Sequence, residues 1–227
     1  MKFETTNLQY YNFLQAAFKD SFLNIKNDTV IWNFPGDAFR IKSTYTAKIL
    51  DDRIYLKNGK LKLDSNYANH PVTEVTWFGA TAYCKWNRFS LPDIFEWEKA
   101  ARGMTGWNYP WGDSLESNRV NYYNSGDPFD NGTTPVGFYN GQKYKGYQTK
   151  NSYSPYGCYD MAGNAWENIE TPITKSHPLF LCGGGGGYLY HTGAMCQSWY
   201  HKLFGIRDST ARIDRPFKTD GFRCIIK

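Results

Sequence analysis

Tyr156-Gly157-Cys158-Tyr159-Asp160-Met161-Ala162-Gly163-Asn164-Ala165-Trp166-Glu167 is the stretch on which the fold turns. It closes a run, residues 104 to 160, that is rich in Gly, Asn, Tyr, Pro and Asp. A connection of that length without regular structure is uncommon in a compact domain. Something must hold it, and bound ions are one candidate. Downstream, Gly183 to Gly187 form a run of five glycines. Such a run reads as a close backbone approach or a bulged strand. It lacks the Gly-Lys-Ser/Thr ending and the strand–helix setting of a phosphate cradle.

Upstream of that run the chain is more regular. Thr5-Thr6-Asn7 offers N-cap residues, and Leu8, Tyr11, Leu14, Ala17 and Phe18 recur at helical spacing. A helix is therefore expected from about 7 to 19. Residues 24 to 50 read as irregular. Ile54 to Leu63, with Asn58-Gly59 at its centre, predicts a β-hairpin, because Asn-Gly supplies the two positive φ angles of a type I′ turn. Thr76 can cap a second helix with Ala80, Tyr83, Cys84 and Trp86 on one side. Asp93 and Glu96 make a capping box for a third, with Trp97, Ala100 and Ala101 on its face and Gly103 at its end.

Composition bounds the class. The chain has 227 residues, 41% hydrophobic and 21% charged, as expected of a globular domain. Its aromatic content of 18% is high, which suits a loop-rich fold and, for some rings, a recognition surface. The net charge of +5 is modest. From Trp199 onward seven Lys/Arg face three Asp, without a recognisable nucleic-acid-binding module, so no nucleic acid partner is expected. There is no apolar run long enough to span a bilayer and no signal-peptide core. A soluble protein is the expectation, its location left open among bacterial cytoplasm, cell surface and phage particle. Five cysteines form no Cys-x-x-Cys, and four histidines form no His-x-x-x-His, which argues against zinc.

The blocks occur in a telling order. His70-Pro71-Val72 leads through Val75-Thr76-Trp77 to Ala82-Tyr83-Cys84-Lys85-Trp86 and Leu91-Pro92-Asp93-Ile94-Phe95-Glu96-Trp97-Glu98. Then come Tyr109-Pro110-Trp111-Gly112-Asp113, Thr134-Pro135-Val136-Gly137, the opening stretch, and Gly221-Phe222-Arg223-Cys224. This set resembles the formylglycine-generating-enzyme (sulfatase-modifying factor) family. Glu4-Thr5-Thr6-Asn7-Leu8-Gln9-Tyr10 resembles the start of that family's first helix. The resemblance implies one α+β domain over 1–227, motif-rich from 70 to 227, with a C-type-lectin-like fold and much irregular structure. It also implies two structural calcium sites. One falls on Asp160, Gly163, Ala165 and Glu167, with Gly163 and Ala165 acting through backbone carbonyls; the other falls on Asn121, Tyr122, Asp127 and Phe129, with the aromatic positions acting through backbone carbonyls. Hard oxygen donors of this kind suit calcium; an Asx-turn and a hydrogen-bonded Glu would hold the loop without metal. In the family Cys84 can bridge to Cys224; two buried free thiols are the alternative.

Formylglycine generation uses two cysteines that hold copper, and a thiolate pair suits Cu(I). Cys196 matches the second family position. Tyr190 stands where the first thiol should be, with the spacing one residue longer, and Cys182 is the other nearby thiol. A phenol cannot replace a thiolate in a linear Cu(I) site. Copper and the oxidase activity therefore belong to the alternative reading, with Cys196 and Cys182 as its reactive thiols. The favoured expectation is a non-catalytic binder. The variable proteins of diversity-generating retroelements share this fold and place their diversified residues between the Gly-Gly block and Gly-Phe-Arg. Here that surface would comprise Tyr190, His191, Trp199, Leu203, Phe204, Ile206, Asp208 and Phe217, and aromatic and apolar groups in a polar frame suit a protein or other macromolecular target.

Overall fold

A computed structural model describes residues 1–33, 44–129, 132–170, 181–183 and 218–227. Among the described residues the fold mixes three α-helices with short strands and long irregular connections. α1 spans Asn7–Lys19, with a capping box in which Thr6 accepts from Gln9 N and Gln9 accepts from Thr6 N. Its buried face is Tyr10, Phe13, Leu14 and Ala17, one position out of phase with the expected set. Leu8 and Phe18 are exposed instead. Each series carries two rings, but Tyr10 and Phe13 are the ones that meet Trp32, Tyr83 and Phe222 across the interface, and the face with partners is the one buried.

The reading of residues 24 to 50 as irregular is overturned. β1 (Leu23–Lys26), β2 (Thr29–Asn33) and β3 (Thr44–Ile49) form an antiparallel sheet in that order. The β1–β2 link is two residues, Asn27 and Asp28, both at positive φ (48° and 56°). That is the same turn chemistry as Asn-Gly, with Asp in place of glycine. The hairpin of β4 (Ile54–Lys57) and β5 (Lys60–Leu63) forms as expected, with Asn58 and Gly59 at φ 52° and 69°.

α2 (Trp77–Trp86) and α3 (Ile94–Arg102) carry the predicted caps, Thr76 and the Asp93–Glu96 box. α2 lies against β3 so closely that a Cβ at Gly79 would sit 2.1 Å from the Ala47 carbonyl oxygen; only glycine fits there. The main core joins α1, α2 and the first sheet through rings. Phe13 stacks on Trp32 at 5.4 Å and meets Tyr83 and Trp86 edge-on, and Phe222 from the C-terminus meets Tyr10 and Tyr83. Each such buried ring contributes roughly 1.5–3 kcal/mol by area. Lys48 is fully buried on β3, where its Nζ donates to Thr73 O, Ile49 O and the Asp51 carboxylate. Burial pulls its pKa down from the usual lysine value.

The long connection after α3 contains one small hairpin, β6 (Lys143–Tyr144) with β7 (Tyr147–Gln148). Rings and side-chain bonds to backbone hold it. Phe129 stacks on Tyr144, Phe138 stacks on Tyr147, and Tyr109 stacks on Trp111 beneath Arg119. A second sheet then places β8 (Trp166–Asn168) between β9 (Leu181–Gly183), antiparallel, and β10 (Asp220–Phe222), parallel. Glu4 to Thr6 run beside this sheet: Thr5 N donates to Phe222 O, and Val72 N donates to Thr5 O.

Candidate functional site

The opening stretch folds into a buried polar junction. Asp160 and Asn164 both take left-handed φ (56° and 62°), as does Gly163 at 74°. At Gly163 a Cβ would meet the Asn121 carbonyl oxygen at 2.2 Å, so the Gly163–Asn164 turn needs its glycine. Asn164 then bonds in several directions. Its Nδ2 donates to Glu4 Oε2 (2.7 Å), its Oδ1 accepts from Thr134 N (2.9 Å) and Asn121 Nδ2 (3.1 Å), and its N–H donates to Asn121 O. One buried amide thus joins the N-terminus to two separate loops. The two predicted calcium loops touch each other through it.

Glu167 lies on β8 and is fully buried. Arg223 grips it with two bonds, Nε to Oε2 at 2.6 Å and Nη2 to Oε1 at 2.5 Å, and Trp97 Nε1 donates to Oε2 at 2.8 Å. Arg223 Nη2 also donates to the Tyr159 and Asp160 carbonyls. The Asp160 carboxylate accepts from Gly137 N, and Glu4 Oε1 accepts from Ala165 N. Three buried carboxylates therefore face one guanidinium. Burial raises the pKa of Glu4 well above the ordinary value, and repulsion from Asp160 and Glu167 adds to it. Burial likewise lifts Asp160 to about 6. For Arg223, burial opposes the charge, but Glu167 outweighs it and the pKa rises.

The first predicted calcium set has donors that suit a divalent cation, since the cluster gathers three carboxyl groups around one guanidinium and a cation would favour their ionised forms. Its Glu167 is nearly saturated: three of roughly four acceptor directions on a carboxylate are taken by Arg223 and Trp97. The second set shows the more specific fit. Asn121 Oδ1 is buried without a partner among the described residues, and such an orphaned hard oxygen is costly unless something binds it. Asp127, from the same set, accepts from Ser125 Oγ, Phe129 N and Tyr139 OH. Among the described residues, no three His, Cys, Asp or Glu side chains converge as metal ligands. An ion at either set would lean on carbonyls, those of Gly163 and Ala165 or of Tyr122 and Phe129. It would supply structural charge balance.

Cys84 and Cys224 are buried free thiols with Sγ atoms 3.0 Å apart. The contact between them and their burial raise the pKa of Cys84, so the thiol form is strongly favoured. Cys182 is buried in a small cluster with Trp97, Ala101, Met161 and Ile169. Tyr190, His191, Cys196, Trp199, Leu203, Phe204, Ile206, Asp208 and Phe217 lie outside the described residues. The ends of their segment are described: the chain leaves β9 at Gly183 and re-enters at β10, the two strands that flank β8. Glu4, Arg223, Trp97 and Asn164 were not among the predicted site residues. A signal was present for Arg223, a charged residue inside the otherwise apolar closing block, whereas Glu4 was hidden among the polar residues that cap α1.

Among the described residues no helix is long and apolar enough to cross a membrane. Comparison with known proteins places this geometry. The chain is 38% identical over 54% of its length to the serine/threonine-protein kinase pkn1 of Chlamydia caviae, of which it spans 17%. It is 40% identical over 43% of its length to the inactive C-alpha-formylglycine-generating enzyme 2 of Bos taurus, of which it spans 31%. The match thus covers less than a third of the length of either relative. Among solved structures, PvdO from Pseudomonas aeruginosa superposes with a TM-score of 0.59 at 16% identity, covering 98% of this chain and 77% of that one; this supports the fold alone. The sulfatase-modifying factor enzyme 1-like domain description matches residues 1–227, and the chain belongs to that family.

Proposed function

We propose that this protein is a non-catalytic binding module, and that its C-terminal segment from Tyr190 to Phe217 forms the contact surface for a protein or other macromolecular target. The observation that carries this reading is the state of the thiols. Tyr190 occupies the place of the first copper-binding cysteine, and Cys182, the nearest alternative, is buried against Trp97 and Met161. A buried thiol cannot reach a peptide cysteine. The relative named as an inactive enzyme supports a family in which the fold outlives the chemistry. In this reading the junction of Glu4, Asn164, Glu167 and Arg223 is a rigid base. It fixes the second sheet, from whose outer strands the binding segment departs and returns.

Diversification by a retroelement is part of the proposal. Sequencing the genomic locus tests it. A reverse transcriptase gene beside a near-copy of the segment encoding residues 188–217, mismatched at adenines, is expected. A locus with no such repeat would remove diversification from the account. Calcium at the Asn121 set, and then at the Asp160 set, is proposed as a structural cofactor of the long connection.

A further inference from the structure

A second surface, made of residues outside the C-terminal segment, is built for contact. The turn from Ser154 to Cys158 is pinned from inside. Ser154 is fully buried; its N–H donates to Cys158 O, its Oγ accepts from Tyr156 N and Cys158 N, and Gly157 N donates to Ser154 O. Gly157 at φ 75° closes the turn. This scaffold pushes Tyr153 and Tyr156 outward, 52% and 57% exposed. Pro155 and Tyr156 lie within 4 Å of where a side chain at Gly103 would stand, at the end of α3. The next residue, Met104, is 92% exposed. On the other flank Tyr153 meets Tyr159 at 6.1 Å, and Tyr159 stacks on Phe3 at 5.5 Å.

The result is a strip of Phe3, Tyr159, Tyr153, Pro155 and Tyr156 that ends against Gly103, with exposed Met104 next to it in the chain. A solvated loop has no need to rigidify exposed rings, and methionine and tyrosine are the types enriched where proteins meet. A turn ordered in advance also lowers the entropy cost of binding. The rim is basic. Lys2 lies over both the Phe3 and Tyr159 rings at 5.3 Å. Lys99 is exposed one helical turn before Gly103 and has no acidic partner among the described residues. Of the acids adjacent in sequence, Glu4 and Asp160 are buried and Glu98 is paired with Arg102. The apolar rings with Met104 beside them favour a protein over a sugar, and the two lysines favour acidic flanks.

We infer that the Phe3–Tyr159–Tyr156–Met104 strip docks a partner protein through an acidic segment bearing an aromatic or aliphatic anchor. None of its residues lies in 188–217, so the inference stands or falls independently of the proposed function. A phage-displayed random peptide library selected on the immobilised full chain tests it. Enriched peptides should carry Asp/Glu around one large apolar residue. A synthetic peptide of that sequence should bind the Met104→Ser/Tyr156→Ser variant at least ten-fold more weakly. Its affinity should also fall several-fold between 0.05 and about 0.5 M salt, as screening removes the lysine contribution. Both replaced side chains are exposed, so the melting temperature should not move, and Tyr153→Ser provides a second variant. Failure to enrich acidic peptides, or equal binding to the variants, overturns the inference. So does a glycan-array signal, or self-association at high protein concentration, that disappears in the double variant.

Discussion

Replacing either partner of the buried Glu167–Arg223 pair should destabilise the fold, and the two changes should differ in size. In the wild type three carboxylates, Glu4, Asp160 and Glu167, share one guanidinium. Arg223→Met leaves all three with no cation and strips donors from Glu167 and from the Tyr159 and Asp160 carbonyls. Removing one partner of a buried pair costs about 3–5 kcal/mol, and the upper half of that range is expected here at pH 7.5. Glu167→Gln is milder. The amide oxygen still accepts from Trp97, and Glu4 and Asp160 remain to balance Arg223, so about 2 kcal/mol is expected. Urea unfolding at pH 7.5, with stability extrapolated from midpoints at constant slope, measures both. At pH 5 the gap should narrow, because protons replace the missing cation on the carboxylates. Equal costs, or a greater cost for Glu167→Gln, would refute the charge count on which this rests.

Other expectations follow from single positions. Gly163→Ala should cost at least about 3 kcal/mol, since it combines a left-handed φ with a Cβ at 2.2 Å from Asn121 O; Gly157→Ala, at nearly the same φ but in open space, should cost only about 1–2 kcal/mol. Burial, helped by Arg53, holds the His70 pKa down at about 4. Its neutral ring therefore contributes stability that is complete above pH 6.5 and is lost as pH falls from 6.5 towards 4. The stability difference between wild type and His70→Gln, followed by urea unfolding, should shrink by about 2–3 kcal/mol over that window. If the Asn121 set holds calcium, chelation of calcium-loaded protein should lower the melting temperature by an amount set by mass action, and Asn121→Ala should abolish the dependence; an unchanged melt on chelation would count against both sets.

The sequence made much of this fold legible, and the failures have physical causes. Caps at Thr6, Thr76 and Asp93, and the Asn58-Gly59 turn, are local, and each formed where expected. The first sheet was missed because Asn27-Asp28 is a weaker turn signal than Asn-Gly, and because β2 and β3 pair across intervening residues. The phase of α1 was missed because periodicity cannot weigh Tyr10 and Phe13 against Leu8 and Phe18 without knowing that Trp32, Tyr83 and Phe222 wait opposite. At the junction the chain order hides the contacts. Glu4 meets Asn164 across 160 residues, and Glu167 meets Arg223 across 56. The acids of the opening stretch were legible as hard oxygen donors, whereas the guanidinium that answers them was visible only as part of a closing block.

The account holds that the fold persists here without its family's copper chemistry. The direct measurement is turnover. The reduced protein, supplied with Cu(I) and oxygen, is incubated with a peptide carrying the sulfatase cysteine motif, and the peptide mass is followed. The account predicts that the peptide cysteine stays unchanged. Conversion to formylglycine that disappears in a Cys196→Ser variant would contradict it.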